Sequence, residues 1–203
     1  MGETPERTLA YTDAVVAIAQ TLLILPLLES VAAGRESGLT TAGWLAENGQ
    51  SLLWFLVSFV VGGSLWLNHR RTFAHVAQMT GLLWVLNFVW LFGIVFLSVA
   101  SALFTLKGNA DAAQAWLYIG SMLLCSASLL VIELLLTRRP ELVRPEHAQR
   151  AVTVSLSLSM TAALLLALML TLSLGFWGMT ILSLIPLAVR RLIPVVRRAG
   201  LAG

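Results

Sequence analysis

The chain has 203 residues, with 13 Lys and Arg against 10 Asp and Glu and a formal net charge of +3. Hydrophobic residues make up 58% and charged residues only 11%, against roughly a quarter charged in an average soluble domain. That composition excludes a soluble fold, a disordered chain and a nucleic-acid binder, and leaves an all-α integral membrane protein.

The acidic start, MGETPER, is unlike a secretory signal peptide, so the first apolar segment is expected to stay in the mature protein. Thr4 followed by Pro5 reads as a helix cap with proline at the first helical position, and predicts a first span over 5–29. Asp13 lies inside it, where a carboxylate is costly and marks a functional or network residue. At about 100° per residue, Asp13, Ala17, Gln20 and Ile24 form one stripe, and Ile18, Thr21, Leu22 and Leu25 another. Pro26 leaves the carbonyl of Leu22 without its helical partner and bends the span near its outer end.

A loop with Gly34, Gly38 and Gly43 leads into a second span over 45–68. At its end Trp66, His69 and Phe73, with Arg70, Arg71 and His75 nearby, can reach Asp13. The third span, 76–106, contains Asn87, whose amide needs a hydrogen-bonding partner in an apolar setting. The fourth, 112–137, holds Cys125 as a small buried hydrophobe, and Glu133 within snorkelling reach of Arg138 and Arg139. The charge-free run from Ala151 to Val189 is 39 residues long, about 58 Å as a helix and twice what one span needs. It divides at Gly175 into spans over 149–174 and 176–192, giving six in all.

Six spans put eleven of the thirteen basic residues on one side, leaving Arg35 and Lys107 on the other. The positive-inside rule then places both termini in the cytoplasm. A lone cysteine forms no intrachain disulfide, and the histidines lack companion ligands at metal spacing, so no cofactor is expected. Filter loops, voltage-sensor repeats and the usual enzyme signatures are absent from the sequence, and the chain is not expected to be an enzyme.

The stretch RTLAYTDAVVAIAQTLLILPL, Arg7 to Leu27, resembles the signature of the transmembrane protein 175 family of potassium-permeable channels. Arg7 and Asp13 match that pattern, while Tyr11 and Thr12 replace its Phe and Ser. LWLNHRRTF, Leu65 to Phe73, is similar to the family's Trp-x-x-His-x-x-x-Phe. LLWVLNFVWLFGIVFLSV, Leu82 to Val99, is similar to its third helix, with Ser98 where proline is frequent. The resemblance implies a homotetramer with a single six-helix repeat, its first helix lining a central pore. With a single repeat and no targeting segment, a bacterial cytoplasmic membrane is the expected location. It implies a constriction at Ile18, outer apolar layers at Leu22 and Leu25, and a potassium-preferring hydroxyl at Thr21. It also implies a structural network of Arg7, Tyr11, Thr12, Asp13, Trp66, His69 and Asn87. The partners it implies are further copies of the chain, membrane lipid and permeating potassium near Thr21.

Two other functions compete. A small proton-coupled secondary transporter would use Asp13 and the histidines as a relay. A membrane scaffold subunit would pass nothing.

Overall fold

The computed structural model describes residues 4–105 and 112–144. The expected spans over 149–174 and 176–192, the end of the third and the C-terminal basic cluster lie outside the described residues.

Thr4 is extended at the N-cap, and Pro5 opens α1, Pro5–Leu22. The cap is made by the backbone, with the Thr4 carbonyl accepting from the Arg7 and Thr8 amides at 3.1 and 3.3 Å. The helix breaks at Leu23 and Ile24, and α2 follows, Leu25–Glu36. Pro26 sits in the first turn of α2. Its ring nitrogen cannot donate to the carbonyl of Leu22, and the chain tightens through Ile24 N–H to Thr21 O at 3.3 Å.

The predicted loop between spans 1 and 2 is instead a helical hairpin. Gly38, at φ +70°, ends α2 with a Schellman closure, Gly38 N–H to Arg35 O at 3.2 Å and Leu39 N–H to Gly34 O at 2.9 Å. Thr40 caps α3, Thr41–Phe73, by accepting from the Gly43 amide at 3.1 Å. Trp44 then returns onto α2, its indole N–H donating to Ser30 Oγ at 3.2 Å. Gly34 is small because Trp44 is there: a Cβ at Gly34 would lie 3.0 Å from Trp44 Cδ1. At 33 residues α3 is about 50 Å long, well beyond a hydrocarbon core of about 30 Å. The hairpin end carries exposed Glu29, Arg35, Glu36 and Glu47, which sets it outside the hydrocarbon.

The predicted third span starts late. Residues 74–80 connect, and Thr80 caps α4, Gly81–Ala102, through the Leu83 amide at 3.3 Å. A short 3-10 turn, Leu103–Thr105, ends it. Helix α5, Ala112–Arg138, is followed by a second such turn, Pro140–Leu142. Four of the described stretches are long and apolar enough to cross a membrane, α1 and α2 counting as one path.

The core lies between α4 and α5, around Leu83, Trp90, Ile94, Ile119, Leu129 and Ile132. Gly93 lets the helices touch: a Cβ there would fall 2.6 Å from Cys125 Sγ, the small-residue contact that membrane helices use for close packing. Cys125 is buried and donates to Trp90 O at 3.5 Å. Ser101 donates to Ser58 at 2.7 Å, and Ser58 meets the Tyr118 hydroxyl at 3.2 Å, tying α3, α4 and α5 together. Helix α1 packs on α3 and α4 and leaves its far side open.

Candidate functional site

Helix α1 has two distinct sides. Thr8, Thr12, Val16 and Ala19 are buried, at the three- and four-residue spacing of one helical face. On the opposite side Ala10, Ala14, Ala17 and Thr21 are exposed, with Ile18 at 61% and Leu22 at 42%. Thr21 donates its hydroxyl hydrogen to Ile18 O at 2.7 Å, so its oxygen lone pairs remain available on the exposed side. Leu25, also exposed, lies past the break in α2 and off the regular wheel of α1. The buried stripe is centred on Thr12 rather than on Asp13 and Gln20, which flank it. Gln20 rests over Gly62 and Gly63 of α3, its Nε2 lying 3.1 and 3.6 Å from Cβ positions built at those glycines.

Two polar anchors hold the inner side. Asp13 Oδ1 accepts from the Trp66 indole at 2.7 Å. Arg70, one turn further along α3, stands 3.9 Å from Asp13 Oδ2, with its guanidinium 5.4 Å from the Trp66 ring centroid. Deeper in, Asn87 of α4 donates from Nδ2 to Thr12 Oγ1 at 3.1 Å. Its Oδ1 lies 2.8 Å from His69 Nε2, which assigns the ring hydrogen to Nε2. The imidazole sits between Phe73 and Trp90, with ring centroids 4.3 and 4.1 Å away. All three polar members of this second anchor, Thr12, His69 and Asn87, are fully buried. Each hydrogen bond therefore spares a desolvation cost that water cannot relieve.

The geometry brings together Thr12, Asp13, Trp66, His69 and Asn87, and separates two residues expected with them. Arg7 is exposed on the open side of α1. Six residues at about 100° each turn it roughly 120° from Asp13, and Arg70 supplies the cation instead. Tyr11 is half-exposed, and its ring lies 6.2 Å from that of Phe88. Glu133, expected beside Arg138 and Arg139, is buried and accepts from Thr72 at 3.0 Å. The sequence marks Ser98 only as a departure from the family's proline and gives no sign of its role: it donates to Ala19 O at 2.8 Å and pins α1 to α4. A serine in an apolar run carries no signal of such a partner. Among the described residues no three His, Cys, Asp or Glu are grouped to hold a metal ion.

Residues 7–97 match the family model described as the endosomal/lysosomal potassium channel TMEM175. Over 87 residues the chain is 40% identical to the endosomal/lysosomal proton channel TMEM175 of Gallus gallus, covering 40% of this chain and 17% of that protein. It is 41% identical over 81 residues to a potassium channel of Streptomyces collinus, 40% of this chain and 38% of that protein. The proton channel TMEM175 of Danio rerio is 37% identical over 89 residues, 40% of this chain and 17% of that protein. The matched region thus spans well under half the length of each of these relatives. The fold is similar to the crystal structure of a lysosomal potassium-selective channel TMEM175 homolog from Chamaesiphon minutus. The TM-score is 0.70 at 24% identity, over 92% of this chain and 97% of that one. The segment that matches the TMEM175 family model, residues 7–97, contains both anchors together with the exposed Ile18, Thr21 and Leu22 of α1.

Proposed function

We propose that the protein is a potassium-permeable, modestly selective cation channel of a bacterial cytoplasmic membrane, with both termini cytoplasmic. Four copies surround a pore lined by α1. The observation that carries this reading is the open side of α1, where Ile18, Thr21 and Leu22 are exposed opposite the anchored side. Support comes from the family match over that same segment and from a relative named as a potassium channel.

An isoleucine from each copy at one level, followed by leucines, makes a constriction that excludes water when narrow and conducts when α1 widens or rotates. Thr21 offers oxygen lone pairs to a partly dehydrated potassium ion, since its hydrogen is engaged by Ile18 O. Hydroxyl oxygens alone replace a hydration shell incompletely, so discrimination against sodium is modest. Asp13, engaged by Trp66 and Arg70, acts in holding α1 rather than in binding ions. No cofactor takes part.

Proton conduction is the second reading, favoured by the two vertebrate relatives named as proton channels. Ion flux through purified protein in liposomes separates the readings. Downhill potassium flux exceeding sodium flux, without saturation, supports the channel, and proton flux alone supports the second reading. Saturable flux that requires a proton gradient points to a coupled transporter. Folded, oligomeric protein that passes no ion would leave only a shared fold.

A further inference from the structure

The segment after α5 does not simply leave the bundle. Ala77 N–H donates to Leu142 O at 2.8 Å, and Arg144 N–H donates to His75 O at 2.9 Å. Between them Val76 and Val143 form an antiparallel bridge. Val76 is fully buried and Leu142 nearly so, which seats the strap on the core. Arg144 then extends further. Its Nε donates to Val76 O at 3.0 Å, and its Nη2 pairs with Glu6 Oε1 in the first turn of α1. One side chain thereby joins three parts of the chain: the start of α1, the α3–α4 connection and the strap after α5. Arg144 lies beyond the matched segment 7–97, so the strap is not part of what the family model matches.

We propose that Arg144 is a positioning residue for gating, a clasp that holds the first turn of α1 against the cytoplasmic connections and keeps the pore narrow. The proposal rests on the reading that α1 lines the pore. The partition of contacts suits a clasp. The backbone bonds and the buried Val76 and Leu142 fix the strap itself, whereas Glu6 is 63% exposed and Arg144 33% exposed at the side chain. A pair in contact with water is weak enough to open without unfolding the helices. Beyond the first turn, the anchors of α1 are Thr12, Asp13 and Ala19. Losing the clasp therefore frees the cytoplasmic end of α1 while leaving its middle held. A small outward movement there widens a dry constriction enough to readmit water.

The test is potassium flux from liposomes for wild type, Glu6→Gln, Arg144→Gln and the double variant, with Ile18→Asn as reference. Each single variant is expected to raise flux about two- to fivefold, the range an exposed pair supports. The double variant is expected to rise no further than the larger single, because both act through one contact. The thermal midpoint of Glu6→Gln should match wild type, which separates gating from a merely structural loss. Glu6→Gln changes an exposed first-turn side chain, so it reports even if Arg144→Gln fails to fold. Unchanged flux in Glu6→Gln, or additive effects in the double variant, overturns the clasp. If Ile18→Asn still raises flux in that case, the pore reading stands without it. Absence of potassium flux from every protein, Ile18→Asn included, overturns the pore reading and the clasp together.

Discussion

The indole N–H of Trp66 donates to Asp13 Oδ1 at 2.7 Å, so the carboxylate of the first helix is engaged within its own protomer. Arg70 completes the arrangement from one turn further along α3. Removing only the donor tests it. Trp66→Phe keeps an aromatic face for Arg70 but leaves Oδ1 without its hydrogen bond, and should cost about 1.5 kcal/mol of stability. A lowered thermal midpoint in detergent, with the ratio of potassium to sodium flux unchanged, is the expected result. An unchanged midpoint with altered selectivity would place Asp13 on the ion path.

The Asn87 amide serves two partners at once, Thr12 and His69. Asn87→Leu is close in volume yet leaves both partners buried and unpaired, at about 1–3 kcal/mol each. Combining it with Thr12→Val should cost less than the sum of the two single changes, because the second substitution removes an already orphaned hydroxyl. Chemical or thermal unfolding of the four proteins measures the coupling, and strict additivity would show that the bond contributes nothing.

Gly93 and Cys125 test the close approach of α4 and α5. Gly93→Ala would place a methyl group 2.6 Å from Cys125 Sγ, an overpacking expected to cost about 1–3 kcal/mol. In a Cys125→Ala background the cost should fall, since the sulfur is gone. It should not vanish, because Ser121 O also lies 3.2 Å from the added Cβ. Equal losses in both backgrounds, read from the thermal midpoint, would mean that α5 shifts as a body.

What the sequence reveals depends on whether a constraint is local. Asp13 and Asn87 are legible as network residues because a polar group in an apolar helix demands a partner. The break near Pro26 is legible because proline lacks a donor. The α2–α3 hairpin is hidden because Gly34 resembles a loop glycine, although its smallness serves the approach of Trp44. The resemblance groups Arg7 with Asp13, but helical rotation carries Arg7 to the open side of α1, and Arg70, legible at the end of the second span as a possible partner, is the cation beside the carboxylate. Ser98 and Arg144 act through backbone carbonyls of residues 79 and 68 positions away, and such contacts leave no period or motif to find.

The placement of the pore on α1 is tested most directly at Ile18. Potassium and sodium efflux from liposomes should be measured for wild type and Ile18→Asn, with both shown to be folded and oligomeric. A polar ring at a dry constriction holds water, so the variant should leak potassium at least about tenfold faster, since a barrier lowered by roughly 1.4 kcal/mol suffices for that change. Its potassium preference should persist if Thr21 supplies it. Equal flux from the two proteins would contradict the account, because it would leave the open side of α1 facing lipid or another protein surface instead of the ion path.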